Sequence, residues 1–290
     1  MTRAVVDRLR TRSALIVQAL VTAVVSLVAI RVAGGAVPAI TVQAASLGLG
    51  ALLAAAFAFT SWRPGRIGTP AILALSLIAL LATLNGSAGG EVSRWLVLGP
   101  VMIQPASILL PLVVWMMAER TADWMAGGLT AALALMLAVQ PDAASATGLL
   151  LALVGIVVAR RRLSSPEGAA ILCAFGACVW AWTRVDLLPA VPTVERIVVT
   201  ALVAQPAVGV LAGLLLVLLP LPFAVRAFAG VHPKSVTAIA LFGLWIGLVG
   251  ANFVGNYPAP VIGYGASLVL GWLMSLGIVA RRQLAQAIPS

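Results

Sequence analysis

The sequence predicts an all-α, polytopic membrane protein of about ten transmembrane helices with both termini inside. Three observations carry this reading. Of 290 residues, 62% are hydrophobic and only 9% are charged, against roughly 25% charged residues in an ordinary soluble domain. The apolar residues fall into runs near the length that spans a bilayer, about 20 residues each. The basic residues fall almost wholly on one side once the runs are laid out as alternating spans. A soluble domain, a disordered chain and a disulfide scaffold are excluded by the same numbers, and residues 1–290 are read as a single transmembrane domain.

The runs are bounded by charges, prolines and glycines. They lie at about 13–33, 40–61, 67–84, 97–118, 124–139, 143–159, 168–183, 197–225, 235–254 and 260–280. The first follows a basic stretch and resembles a signal peptide, with small residues after Arg31. It is read as a retained span because the chain passes at once into the second run. The third, fifth, sixth and seventh runs are short. The eighth is long and carries Pro206, Pro220 and Pro222. Proline removes a backbone donor and breaks a helix interior, so this run is read either as one kinked span or as a re-entrant piece followed by a span.

With the N-terminus inside, only Arg31, Arg94, Arg184 and Arg196 of the 18 basic residues fall outside. The acidic residues split evenly, with Asp7, Glu119, Asp123 and Glu167 inside and Glu91, Asp142, Asp186 and Glu195 outside. The formal charge of +10 is therefore a topology signal and not a nucleic-acid footprint. Cys173 and Cys178 lie in one apolar run and read as packing residues. The single histidine, His232, lies in a loop beside Pro233 and Lys234, so no metal site of the His/Cys kind is expected.

Polar residues out of place in an apolar chain mark function or packing. Most lie toward the outer face. They are Arg94 and Trp95, followed by Gln104; Gln140 and Asp142 around Pro141; Arg184, Asp186, Glu195 and Arg196 in one short loop; and Asn256, Tyr264 and Ser267 before and within the last run. An outer cavity with Arg94, Arg184 and Arg196 would suit an anionic group such as a pyrophosphate. The carboxylates of Glu195, Asp142 and Asp186 could serve as a general base or hold a divalent cation. Each position also has a plainer reading. Arg94 and Trp95 could anchor at the interface, Asp142 could cap the sixth span, and the glycines near Tyr264 could pack helices.

Three stretches, in order, carry a resemblance. Arg94-Trp95-Leu96-Val97-Leu98-Gly99 followed by Gln104-Pro105 resembles R-W-I-x-L-G…Q-P-S-E. Gln140-Pro141-Asp142 resembles the start of Q-P-D-L-G-T. Pro260-Val261-Ile262-Gly263-Tyr264-Gly265-Ala266-Ser267 resembles P-F-I-S-Y-G-G-S-S. These are segments of the SEDS family (shape, elongation, division and sporulation: FtsW, RodA and SpoVE), and the resemblance covers roughly residues 40–282. It implies a multi-pass protein of the bacterial cytoplasmic (inner) membrane that handles lipid II or another polyprenyl-linked precursor in peptidoglycan synthesis, cell shape or division. It also implies a bitopic penicillin-binding protein as a partner. In the family a carboxylate deprotonates the attacking sugar hydroxyl and basic groups stabilise the pyrophosphate.

The chain departs from the family pattern at several places. Ala106, Ser107 and Leu110 stand where the family has serine, glutamate and lysine. The outer stretch 184–196 is short, and Glu195 stands in only approximately for the family's essential aspartate. These departures favour a SEDS-like protein that binds a lipid-linked precursor and scaffolds partners with weak or no catalysis. An active short glycosyltransferase is the alternative, and a flippase of polyprenyl-linked sugars is a third reading. The flippase is opposed by span centres that are almost purely Ala, Leu and Val apart from Gln18, Gln43, Trp180 and Gln205. No cofactor is expected beyond a possible divalent cation.

Overall fold

The structure, a computed structural model, describes residues 3–62, 65–85, 93–98, 101–184, 189–228 and 235–285. In chain order the elements are α1 (Arg3–Val32), α2 (Val37–Phe59), α3 (Gly68–Thr83), β1 (Leu96–Leu98), β2 (Val101–Ile103), α4 (Pro105–Glu119), α5 (Trp124–Val139), α6 (Ala143–Arg160), α7 (Ser165–Thr183), α8 (Ile197–Ala204), α9 (Pro206–Leu218), α10 (Leu221–Phe228), α11 (Val236–Val254) and α12 (Ala266–Ala285). Five stretches are long and apolar enough to cross a membrane: Ser13–Val32, Val37–Phe59, Ala143–Arg160, Pro206–Phe228 and Val236–Val254. Four shorter apolar helices accompany them. Large apolar side chains stay exposed on the helix faces, such as Ile16, Leu52, Leu172 and Phe175. In water so much apolar surface would drive association; in hydrocarbon it is the solvated surface.

The chain divides into two compact units. The first holds α1, α2, α8, α9 and α12. Here α2 packs closely on α12, where Gly277 lies against the backbone of Ala54. The α1 helix is built into this unit: Ser26 Oγ donates to the carbonyl of Val261 at 2.8 Å, and Gln18 Nε2 donates to Leu218 O at 2.7 Å.

The eighth apolar run is not one continuous span. It breaks at Gln205, and α8 folds back on α9 as an antiparallel helical hairpin. Gly213 faces Val198, with only 3.3 Å between its Cβ position and Val198 Cγ1, and Gly209 faces the backbone of Leu202. Pro206 has no amide hydrogen to continue α8. Gly209 has no Cβ, and any side chain there would strike Leu202.

The second unit holds α3, the β1–β2 hairpin and α4, α5, α6, α7 and α11. Its centre is the α6–α11 contact, where Gly247 lies against Gly148 so that the two backbones approach closely. Trp115, edge to face with Trp62, and Trp245, stacked on Phe223, are buried in the same unit. Two expected boundaries move. The fourth run does not begin as helix at 97, since Leu96–Leu98 and Val101–Ile103 pair as antiparallel strands and helix starts at Pro105. Gly99 and Pro100 are poor helix residues, and the flanking Leu-Val-Leu and Val-Met-Ile triplets suit strands. In the first unit, the tenth run does not begin as helix at 260. Residues 260–264 are turns and bends, and α12 starts at Ala266, because Pro258, Pro260, Gly263 and Gly265 crowd that stretch.

At the opposite end of this unit Arg160 pairs with Glu167 at 2.5 Å and donates to the carbonyls of Met117 and Arg120, both at 2.7 Å. Glu167 also closes a capping box with Ser164 at the start of α7. One arginine thus ties the last turn of α4 to the first turn of α7.

Candidate functional site

The outer-face residues fall into two clusters, one in each unit. In the second unit the cluster is built on the α5–α6 junction. An α-helix ends with carbonyls that lack intrahelical donors and carry partial negative charge. Arg94 is buried there: its Nε donates to Gln140 O at 3.3 Å and its Nη2 to Pro141 O at 2.5 Å. Arg184 Nη1 donates to Val139 O at 3.2 Å. Two of the three arginines read as anion ligands therefore converge on the carbonyl end of α5. The Arg94 guanidinium also lies over the rings of Tyr257, at 5.1 Å, and Trp95, at 6.0 Å.

Asp142 is the N-cap of α6 and is 1% exposed. Its Oδ1 accepts from Ser145 N at 3.1 Å and its Oδ2 from Gln104 Nε2 at 2.8 Å. Ser107 Oγ donates to Gln104 Oε1 at 2.9 Å, so the first turn of α4 is tied to the first turn of α6. Gln140 Nε2 donates to Leu80 O at 2.8 Å and Thr83 Oγ1 at 2.7 Å, which fixes the end of α3 to the same node. Its Oε1 and the Ser145 hydroxyl are buried without a protein partner. Tyr257 completes the node, accepting from Ala143 N at 3.3 Å and meeting Trp182 edge to face. Asn256 is half-buried beside Tyr257 in the chain.

Thr83 carried no signal in the sequence. Tyr257 was visible only as part of the polar stretch around Asn252 and Asn256. Arg94, Gln104, Gln140 and Asp142 do come together, as a network of caps and ties. Asp186 lies outside the described residues.

In the first unit the cluster joins two loops. Residues 191–196 and 259–264 are linked by Ala259 N donating to Val194 O at 3.2 Å and Tyr264 N donating to Thr193 O at 2.8 Å. Gly263 sits so close that a Cβ would lie 2.5 Å from Val194 O, so only glycine fits. Glu195 is half-buried, and its Oε2 accepts from Val191 N at 2.8 Å, closing its own turn. Arg196 is exposed at the N-cap of α8. Tyr264 is half-buried, and Ser267 is buried in the first turn of α12.

Beneath this loop pair lies a residue that the sequence showed only as an isolated polar group in a span. Gln43 of α2 is fully buried. Its Nε2 donates to Ser26 Oγ at 2.9 Å, Val261 O at 3.0 Å and Gly263 O at 3.4 Å, and its Oε1 accepts from Gly265 N at 3.1 Å. The loop it holds includes Val261, a β-branched residue at φ 63°, a conformation persisting only where the surroundings over-determine it.

Among the described residues no group of three or more His, Cys, Asp and Glu side chains is placed to hold a metal ion.

The backbone matches a known membrane fold. RodA of Thermus thermophilus, a rod shape determining protein, aligns with a TM-score of 0.67 and 21% identity over 95% of this chain and 97% of that one. A point mutant of the same protein gives 0.67 and 20% over 95% and 98%. A chain from a peptidoglycan synthase complex, in a structure concerned with coordination of polymerization and crosslinking, gives 0.59 and 21% over 94% and 98%. No family model and no curated protein matches the sequence. The chain is a multi-pass helical membrane protein with the fold of RodA.

Proposed function

We propose that this is a SEDS-type protein of the bacterial cytoplasmic membrane, linked to peptidoglycan synthesis. In this reading it binds a lipid-linked glycan precursor at its outer face and scaffolds a penicillin-binding-protein type of subunit, with weak or no polymerisation of its own. Likeness to RodA along nearly the whole chain supports the class, and so do the three ordered sequence motifs. The observation that carries the non-catalytic part is the occupation of two of the three candidate carboxylates, Asp186 lying outside the described residues. Asp142 is buried with both oxygens accepting hydrogen bonds, and Glu195 caps its own loop. A general base must come within hydrogen-bond reach of the hydroxyl it deprotonates.

The positions that the family fills with glutamate and lysine are consistent with this reading. Ala106, Ser107 and Leu110 are buried in α4, and Ser107 Oγ donates to Gln104 Oε1.

The test is lipid II polymerisation by the purified protein, alone and with a bitopic penicillin-binding protein, beside a lipid II binding measurement. The expected result is binding without polymer above background. Glycan polymerisation that disappears in Glu195→Gln would establish the short-glycosyltransferase reading instead.

A further inference from the structure

In the second unit a small cavity lies where the start of α3 meets the link from α4 to α5. It offers about 10 Å³ to the centre of a water-sized sphere. Its wall includes the buried Thr69, Met116 and Met117, the half-buried Arg120 and the exposed Asp123. The positive-inside rule places this end of the unit, which also holds Arg160, in the cytoplasm.

One group in the wall has no partner in the protein. Thr69 is 2% exposed, and its hydroxyl makes no hydrogen bond to another protein atom. Its position explains why. Hydroxyls inside a helix commonly bond the carbonyl four residues back, as those of Ser76, Thr130 and Thr147 do at 2.7, 2.8 and 2.7 Å. Thr69 is the second residue of α3, so the carbonyl four back belongs to Gly65, outside the helix. That carbonyl accepts from the Thr69 amide at 3.1 Å. A buried hydroxyl left unbonded is costly.

The facing wall supplies acceptors. Met116 and Met117 are among the last four residues of α4, whose carbonyls have no donor further along the helix. Arg160 Nη2 reaches Met117 O and Arg120 O, and a carbonyl oxygen has a second lone pair to offer. Asp123 Oδ1 caps α5 by accepting from Ala126 N at 2.9 Å, which leaves the carboxylate with further acceptor capacity.

We propose that the cavity binds one ordered water molecule, which accepts from the Thr69 hydroxyl and donates to the carbonyl end of α4 and to the Asp123 carboxylate. The volume suits a single molecule, since a buried water needs roughly 10–15 Å³ measured this way and two to four polar partners. Charge decides between water and an ion. An anion would meet Asp123. A metal cation would meet Arg120 and the Arg160 guanidinium, which already sits on two of the carbonyls. A neutral molecule that both donates and accepts suits the whole wall. Bound there, it ties the first turn of α3 to the end of α4 and the start of α5.

The test is a map of the full chain at about 2 Å, beside thermal unfolding of two variants. Wild type should show a density peak about 2.7–2.8 Å from Thr69 Oγ1 and within hydrogen-bond distance of an acceptor on α4 or Asp123. Thr69→Val keeps the side-chain shape and removes the hydroxyl. The peak should vanish, and the apparent melting temperature should fall by about 2–4 °C. Thr69→Ser keeps the hydroxyl and should keep the peak. A wild-type map that resolves other buried waters but none here would overturn the proposal. So would a Thr69→Val protein that melts at or above the wild-type temperature, the outcome for a hydroxyl that never had a partner. A peak ringed by oxygens at roughly 2.0–2.6 Å would mark a metal cation and overturn it too.

Discussion

Replacing Gln43 by leucine should destabilise the protein far more than a typical surface substitution. Leucine keeps nearly the same volume, so the change removes hydrogen bonds without opening a large cavity. Four such bonds reach or leave the Gln43 amide. Side-chain hydrogen bonds between elements of a membrane protein average about 0.6 kcal/mol each, so the four together come to about 2 kcal/mol. The consequences differ among the partners. Val261 O keeps the Ser26 hydroxyl at 2.8 Å, but Gly265 N–H loses its acceptor. An unsatisfied buried donor costs about 1–3 kcal/mol, which sets the upper end of the loss near 4 kcal/mol. For a chain of this size that is a fall of roughly 4–15 °C in apparent melting temperature. The assay is thermal unfolding in detergent, followed by intrinsic tryptophan fluorescence. The internal control is Gln18→Leu, which removes one exposed hydrogen bond to Leu218 O and should shift melting only slightly. If Gln43→Leu melts within a degree or so of Gln18→Leu, the loop is held by packing and the hydrogen-bond argument fails.

Other outcomes follow from the same geometry. Arg94→Ala strips two carbonyls at the α5 end of a charged donor and should cost about 3 kcal/mol. Arg94→Lys should recover only part of this, since an ammonium cannot reproduce the planar fork; full recovery in thermal unfolding would show that charge alone suffices. Val198→Cys with Gly213→Cys, in a background with Cys173→Ala and Cys178→Ala, should crosslink readily on mild oxidation, because the hairpin brings the two positions together. A continuous helix would hold them about 22 Å apart, and failure to crosslink would restore the kinked-span reading. Topology reporters fused after Arg162 should report from the cytoplasm and those inserted at Ala190 from outside, and the reverse pattern would invalidate the charge-based orientation.

Arg94, Arg160, Arg184 and Arg281 show how far the sequence could be read. Their side of the membrane followed from charge counting, since the lopsided distribution of arginine makes sense in only one orientation. Their task did not follow. Each donates to carbonyls at or just past the end of a helix: α5 for Arg94 and Arg184, α4 for Arg160, and α2 for Arg281. The Arg94 and Arg160 acceptors lie 40 or more residues away in the chain, and those of Arg281 more than 200. Asp142 is the opposite case. Its capping role was legible because the cap and the amide it satisfies are three residues apart.

The sequence by itself determined the class of molecule, the approximate helices and their orientation. Hydrocarbon leaves an unpaired backbone group nowhere to go, so a long apolar run must be helix, and within a helix every bond closes four residues away. The tertiary structure decided everything at the places where that local closure stops. It set the reversal between α8 and α9, the strand pair before α4, the seating of the 261–265 loop on Gln43, and the α5 end on Arg94. At helix ends and proline gaps the free donors and acceptors must still be satisfied. Their partners come from segments brought near only by folding, and no spacing along the chain records which ones.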